Sequence, residues 1–303
     1  MLGAIIGDIV GSPYEVVNVY KRSDVKPFKT TFFHGKCRFT DDTALTLAVA
    51  RALISNTQEK NMEVLEQRVA EQLKAYYEYY SLGRFGPIGS LYGGGFIRWT
   101  QGDITKRREA GTNGATMRIT PVGWLYATME ETLDVAKATV VRTHNTEEAV
   151  KASQAVAAII FLARHGKDKK YIQGFVEGKF GYQIGDLRKE IKCIREDNKD
   201  YRNKNRLNGK LINCGAKSTA IAAITAFLIA DSFEDCIRTA ISLGGDSDTI
   251  ACIAGGMAEV YFGIPEEWKN RAVSVLKEEG CREEDLEMIM EFQEKYAAKL
   301  HTV

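Results

Sequence analysis

The stretch "SLGGDSDTIACIAGG" (242–256) sets Asp246, Ser247, Asp248 and Thr249 directly before a run of small apolar residues. Ile250–Gly256 reads as a helix that packs closely against its neighbours. Aspartate and serine suit a helix N-terminus, where the dipole favours negative charge. One cap needs one side chain, however, and here two carboxylates sit close together. "FTDDTALTLAVA" (39–50) repeats the arrangement, with Thr40, Asp41 and Asp42 opening a second small-residue helix. A third acid, Glu15, follows "GDIVGSP". If the three segments converge, Glu15, Asp41, Asp42, Asp246 and Asp248 meet with no basic partner inside any motif. Burying them unpaired would cost several kcal/mol each. Divalent cations relieve that cost. Oxygen ligands without Cys or His suit hard ions, Mg²⁺ or Mn²⁺. Two such ions about 3.5–4 Å apart could orient a substrate and polarise a water. An isoprenoid-synthase-like site ranks low, because it wants aspartates one turn apart inside a helix.

The rest of the chain reads helical. "DDTALTLAVARALIS" (41–55) puts Leu45, Ala48, Val49 and Ala52 on one face. "EVLEQRVAEQLKAYYEYY" (63–80) repeats Val64, Leu65, Val69, Leu73, Tyr76 and Tyr77. "EEAVKASQAVAAIIFLARHG" (147–166) is apolar nearly all round and stops at Gly, as a central helix would. "KSTAIAAITAFLIA" (217–230) reads likewise, and "REEDLEMIMEFQEKYAAKL" (282–300) as an amphipathic surface helix. Strand alternation is rare. These patterns predict a single all-α domain over 1–303. Two Gly-rich loops, 81–96 and 110–116, interrupt it where backbone could approach a ligand. Segment 186–210 carries nine basic and five acidic residues and reads as a solvated basic insertion.

Composition excludes several classes. The 303 residues are 45% hydrophobic with a formal net charge of +1, so no global field draws the chain to nucleic acid or an anionic membrane. Six scattered cysteines without a CxxC pair, and four histidines, predict free thiols and no zinc site. The start lacks a basic n-region and is broken by Gly and Asp8, so no signal peptide is expected. Ala220–Ala230, the longest apolar stretch, is too short to span a bilayer. A cytoplasmic protein is expected.

Five stretches, taken in order, resemble the ADP-ribosylglycohydrolase family: "GAIIGDIVGSPYE", "FTDDTALTLAVA", "NGATMRITPVGWLY", "VVRTHNTEEAVKASQAVAAIIFLA" and "SLGGDSDTIACIAGGMAEVYFGIPEEW". The paired TDDT and GGDSDT motifs are the specific ones. The resemblance implies an all-α fold with a dinuclear magnesium centre, and cleavage of the N- or O-glycosidic bond between ADP-ribose and an acceptor such as an ADP-ribosylated protein. It places Thr40, Asp41, Asp42, Asp246, Asp248 and Thr249 among the metal ligands and Glu15 where an acid gates the cleft. Gly111, Thr112 and Asn113 fall on the loop that holds the diphosphate, His144 faces the ribose end, and Tyr92, Gly93 and Gly94 lie near a second Gly-rich loop. Asp41, Asp42 and Glu15 are the candidates for general acid or base. The intact metal motifs argue against a crystallin-like relative without chemistry. A module that binds ADP-ribose without cleaving it, and another dimetal hydrolase, are the rival readings. Region 186–213 departs from the family in length and charge, which leaves the acceptor open.

Overall fold

The computed structural model describes residues 1–15, 31–33, 35–81, 92–198 and 214–297. Fourteen α-helices run through these residues. They are α1 Leu2–Gly11, α2 Asp41–Ile54, α3 Met62–Ser81, α4 Gly94–Thr100, α5 Thr120–Leu125, α6 Met129–Ala138 and α7 Glu147–Arg164, followed by α8 Lys169–Phe180, α9 Leu187–Asn198, α10 Ala216–Ile229, α11 Phe233–Ser242, α12 Ser247–Phe262, α13 Glu266–Glu278 and α14 Glu283–Phe292. Among the described residues the one β-type pairing is an isolated bridge between Thr112 and Gly215. The all-α expectation therefore holds. The basic segment is described as far as Asn198, as helix α9; residues 199–210 lie outside the described residues.

The middle of the fold is the pair α1 and α12. Every residue of α1 is buried. Gly3, Gly7 and Gly11 recur every four residues and so share one face. A Cβ on Gly3 would overlap the Gly255 carbonyl, one on Gly7 the Ala251 carbonyl, and one on Gly11 would stand 2.5 Å from the Asp248 Cα. Only hydrogen fits between these backbones. Gly255 answers from the other side, since its own Cβ would overlap the Gly3 carbonyl. This contact brings the C-terminal end of α1 beside the N-terminal end of α12, and with it Asp8 beside Asp248.

Around this pair the long helices α2, α7 and α10 bury almost all of their faces in one continuous apolar core. The faces expected for α2 are buried, but so are Thr43, Ala44, Thr46, Leu47 and Ala50. α2 is therefore a core helix rather than an amphipathic one. The last helix ends earlier than its pattern predicts: α14 stops at Phe292 and continues as a π-turn, Gln293–Ala297.

Candidate metal centre and cleft

Six acidic side chains are buried among the described residues: Asp8, Asp42, Glu66, Asp248, Glu259 and Asp285. Three of them have cations. Glu66 pairs with Arg107 at 2.7 Å and Arg142 at 3.0 Å. Glu259 takes the amino group of Met1 at 2.5 Å. Asp285 takes Arg51 and Arg282 at 3.1 and 2.8 Å, and the Tyr76 and Tyr80 hydroxyls at 2.5 and 2.9 Å. Asp8, Asp42 and Asp248 form no ion pair among the described residues, and these three converge on one spot.

The convergence follows from three helix ends. Thr40 caps α2 by accepting the Asp42 N–H at 3.3 Å, so neither Asp41 nor Asp42 is needed as a cap. Asp8 reaches across from α1. It accepts the Thr40 N–H at 2.9 Å, the Thr43 N–H at 3.1 Å, and both threonine hydroxyls, that of Thr40 at 2.7 Å. An anion at a helix N-terminus is favourable, yet burial still raises the pKa of Asp8. At α12, Gly244 and Gly245 both take positive φ, +76° and +75°, to turn the chain into the helix. Asp246 stands at the N-cap position without capping. Its carboxylate accepts instead from Asn113 Nδ2 at 2.7 Å and the Cys214 thiol at 3.2 Å.

Oxygens of Asp8, Asp42 and Asp248 lie within 4.8 Å of one another, and so do oxygens of Glu15, Asp246 and Asp248. The two trios share Asp248. Thr249 Oγ1 donates to Asp42 Oδ2 at 3.2 Å, while Asp42 Oδ1 is buried with no partner. Burial and mutual repulsion raise Asp41, Asp42 and Asp248 well above the usual carboxylate range. Burial first, then Asp246 and Asp8, push Glu15 up to about 7, with Arg38 acting against them. An orphaned buried oxygen, oxygen donors only, and no ion pair to Asp8, Asp42 or Asp248 among the described residues fit hard divalent ions. Thr40 and Thr249 add hydroxyls at the same place.

Beside the acids lies a cleft of about 240 Å³. Glu15, Asp41, Asp42, Asp246, Asp248 and Thr249 line it. So do Thr112, Asn113, Gly114, His144, the loop Gly93–Gly95, Arg108 and Arg118. The 110–116 loop is held by the bridge to Gly215: Asn113 N–H donates to the Cys214 carbonyl at 2.7 Å and Ala216 N–H to that of Gly111 at 2.9 Å. Desolvation, then Arg118 and Arg108, hold His144 well below its usual pKa, so its ring is neutral. A larger groove of about 830 Å³ opens at the other end of α1, by Leu2, Lys269 and Met290, away from the unpaired acids.

Most of the site residues named from the sequence meet here. Asp41 lines the cleft but joins neither trio. Gly111 sits behind the lining, with its carbonyl committed to α10. Tyr92 is buried and stacks on Phe96 at 5.7 Å, edge-on to Tyr77 at 5.0 Å. Its phenol is pushed up by burial and then by Asp41. Sequence reasoning missed Asp8, Cys214, Arg108 and Arg118. Asp8 carried a signal of its own: it is the one charge in an otherwise apolar ten-residue helix, which burial makes expensive unless it serves a purpose.

The all-helical fold thus brings carboxylates from three helix ends together beside one cleft. The ADP-ribosylglycohydrolase family profile matches residues 1–298, and the chain belongs to that family. It is 24% identical to the ADP-ribosylhydrolase ARH3 of Mus musculus, over 89% of this chain and 85% of that one. It is 27% identical to the ADP-ribosylarginine hydrolase Tri1 of Pseudomonas putida, over 88% of this chain and 71% of that one. A solved structure titled an ADP-ribosylglycohydrolase-related protein complex shares the fold, with a TM-score of 0.59 and 22% identity over 95% of this chain and 93% of that one. No helix among the described residues is long and apolar enough to cross a membrane.

Proposed function

We propose that this chain hydrolyses the glycosidic bond between ADP-ribose and an acceptor, using two divalent ions, Mg²⁺ or Mn²⁺. The observation that carries the reading is the pair of carboxylate trios sharing Asp248 beside a cleft that Arg108 and Arg118 also line. The substrate has matching polarity: ribose hydroxyls suit hard cations, and a diphosphate suits Arg108 and the donors of the 111–114 loop. Asp8, Asp42 and Asp248 would hold one ion and Glu15, Asp246 and Asp248 the other, with Thr40 and Thr249 contributing hydroxyls. When bound there, such ions would supply Lewis-acid charge for the ribose hydroxyls and for a water.

This chain's own residues do the rest. Asn113 keeps Asp246 oriented through its 2.7 Å bond. Asp41, free of both trios, is the carboxylate left for proton transfer at the anomeric carbon, where the transition state is oxocarbenium-like. Glu15, at the mouth of the pair, is the alternative proton carrier. The names of the relatives, one an ADP-ribosylhydrolase and one an ADP-ribosylarginine hydrolase, support the substrate class. A single domain in a cytoplasmic setting, acting on ADP-ribosylated protein, completes the reading, and the basic segment 186–210 biases the choice of acceptor.

The deciding experiment is a panel of conjugates of ADP-ribose with arginine, serine, nucleic-acid bases and acetate, each assayed for ADP-ribose release with Mg²⁺, with Mn²⁺ and after chelation. Release from one acceptor class, abolished by chelator and restored by metal, is expected. Full turnover in the metal-stripped protein refutes the dinuclear reading. Tight ADP-ribose binding with no release from any acceptor makes the chain a binding module instead.

A further inference from the structure

Arg118 lines the cleft together with Thr112 and Asn113, and its side chain is fully buried. Its Nη2 donates to Thr143 Oγ1 at 2.6 Å, while Nε and Nη1 have no partner. No carboxylate pairs with it among the described residues. Burial lowers its pKa to about 9, so it remains a cation at neutral pH. An unpaired charge held this deep is costly. Its side chain offers no surface to solvent, and a chain of polar groups connects it to the Thr112 hydroxyl. Thr143 Oγ1 is 2.9 Å from His144 Nδ1, and His144 Nε2 is 2.8 Å from Thr112 Oγ1. Thr112 is exposed and lines the cleft.

The direction of this chain follows from counting protons. Thr143 has one hydroxyl proton and two acceptors in reach, the Val140 carbonyl at 3.1 Å and His144 Nδ1 at 2.9 Å. The Val140 carbonyl already accepts two backbone N–H groups, from Thr143 at 3.0 Å and His144 at 2.7 Å. These occupy both of its lone pairs. A third bond to that carbonyl, at 3.1 Å, is the weaker option, so the chain is read with the hydroxyl donating to Nδ1 at 2.9 Å and the single N–H of the neutral ring on Nε2. That N–H donates to Thr112 Oγ1, which leaves the Thr112 proton free to face the cleft.

We propose that Arg118 is a positioning residue. Through Thr143 and His144 it orients a one-way donor chain that presents the Thr112 hydroxyl proton to an anionic oxygen in the cleft, a phosphate oxygen of ADP-ribose. Every donor points away from the buried guanidinium, so each bond polarises the next. The opposite orientation would turn Thr112 lone pairs toward the anion and repel it. The ligand named here rests on the function proposed above; the direction of the chain does not.

Two measurements test it. In ligand-free ¹⁵N-labelled protein, long-range ¹H–¹⁵N spectra of the imidazoles, with His144 assigned by its loss in His144→Gln, should show the proton on Nε2. A proton on Nδ1 overturns the proposal whether or not ADP-ribose binds. Next, ADP and adenosine are titrated into the Mg²⁺-loaded wild type and Thr143→Val. The variant keeps the shape of the side chain but breaks the chain one step behind the cleft. ADP should weaken about tenfold, as for one lost charge-assisted hydrogen bond, with adenosine unchanged. Unchanged ADP affinity, or equal losses for both ligands, overturns the proposal. Arg118→Lys, which keeps the charge and one donor, should lie between the two in ADP affinity, and a loss as large as that of Thr143→Val would count against charge as the source. If the wild type binds no ADP-ribose, the proposed function and the ligand fail together, while the tautomer still judges the chain.

Discussion

Removing divalent ions should make stability depend on pH with a defined sign. Asp8, Asp41, Asp42, Asp248 and Glu15 all have folded pKa values raised by burial and by one another. A group raised on folding binds more protons in the native state, so the stability it contributes is complete below its unfolded pKa and lost as pH rises through its folded value. For Glu15 that window runs from 4.5 to about 7. At about 1.4 kcal/mol per pKa unit, full conversion would give about 3 kcal/mol. Glu15 is only partly buried, and solvent screening halves this to about 1.5 kcal/mol. For a chain of this size that is about 3 °C in Tm. The four aspartates act in the same direction and add to it. His144 acts oppositely, because its lowered pKa costs stability as pH falls below 6.5. The quantity to read is therefore the difference in Tm between chelated and Mg²⁺-loaded protein at each pH, in which His144 cancels. Scanning calorimetry from pH 5 to 8 should show that difference growing by at least about 3 °C, since ions bind the deprotonated carboxylates. A difference that stays flat or shrinks as pH rises would refute the account of the acidic cluster.

Three further outcomes follow from the geometry. Asp248→Asn should abolish binding of both ions because both trios use it, whereas Glu15→Gln should retain about one of two; metal content by mass spectrometry after gel filtration checks this, and equal stoichiometry in the two variants contradicts the shared ligand. Gly7→Ala drives a methyl into the Ala251 carbonyl and should destabilise by about 3 kcal/mol or more, with loss of metal, whereas Gly174→Ala, where nothing lies within 4 Å, should be nearly neutral in urea unfolding. Reversing Lys199, Arg202, Lys204 and Arg206 to Glu should change kcat/KM for a macromolecular conjugate more than for a small one, by a ratio that salt diminishes; an unchanged ratio leaves 186–210 as a solvated insertion.

The helices at 41–55, 63–80, 147–166 and 217–230 were legible because their patterns are local. Gly166 ends the 147–166 segment at φ +70°, as the sequence suggests, and Thr146 caps α7 by accepting the Ala149 N–H at 3.3 Å. α1 was not legible. Apolar on every side and interrupted by Gly3, Gly7 and Gly11, it has no period to read, and the reason for its glycines stands on α12, some 250 residues away. The site divides along the same line. TDDT and GDSDT could be read because each holds more acids than a cap requires. Asp8 was missed although it is the lone charge of an apolar helix, because its partners Thr40 and Thr43 belong to another segment. Tyr92 belongs to a Gly-rich stretch, yet its ring is claimed by Phe96 and Tyr77. Arg118 sits in a motif quoted for its loop, and only three-dimensional packing shows it to be an unpaired cation.

The glycine contact between α1 and α12 also sets an order of events during synthesis. α1 is made long before the surface that covers it, which lies on Ser247–Phe262. Until that helix emerges from the ribosome, Leu2, Ile5, Ile6, Ile9 and Val10 have lost their main partner, and the Glu15 and Asp8 half of the acidic cluster lacks Asp246 and Asp248. Contacts this distant in sequence form late and slowly. The nascent chain thus carries an uncovered apolar helix until that surface has been made, the kind of segment that chaperones bind and that aggregates when they are scarce.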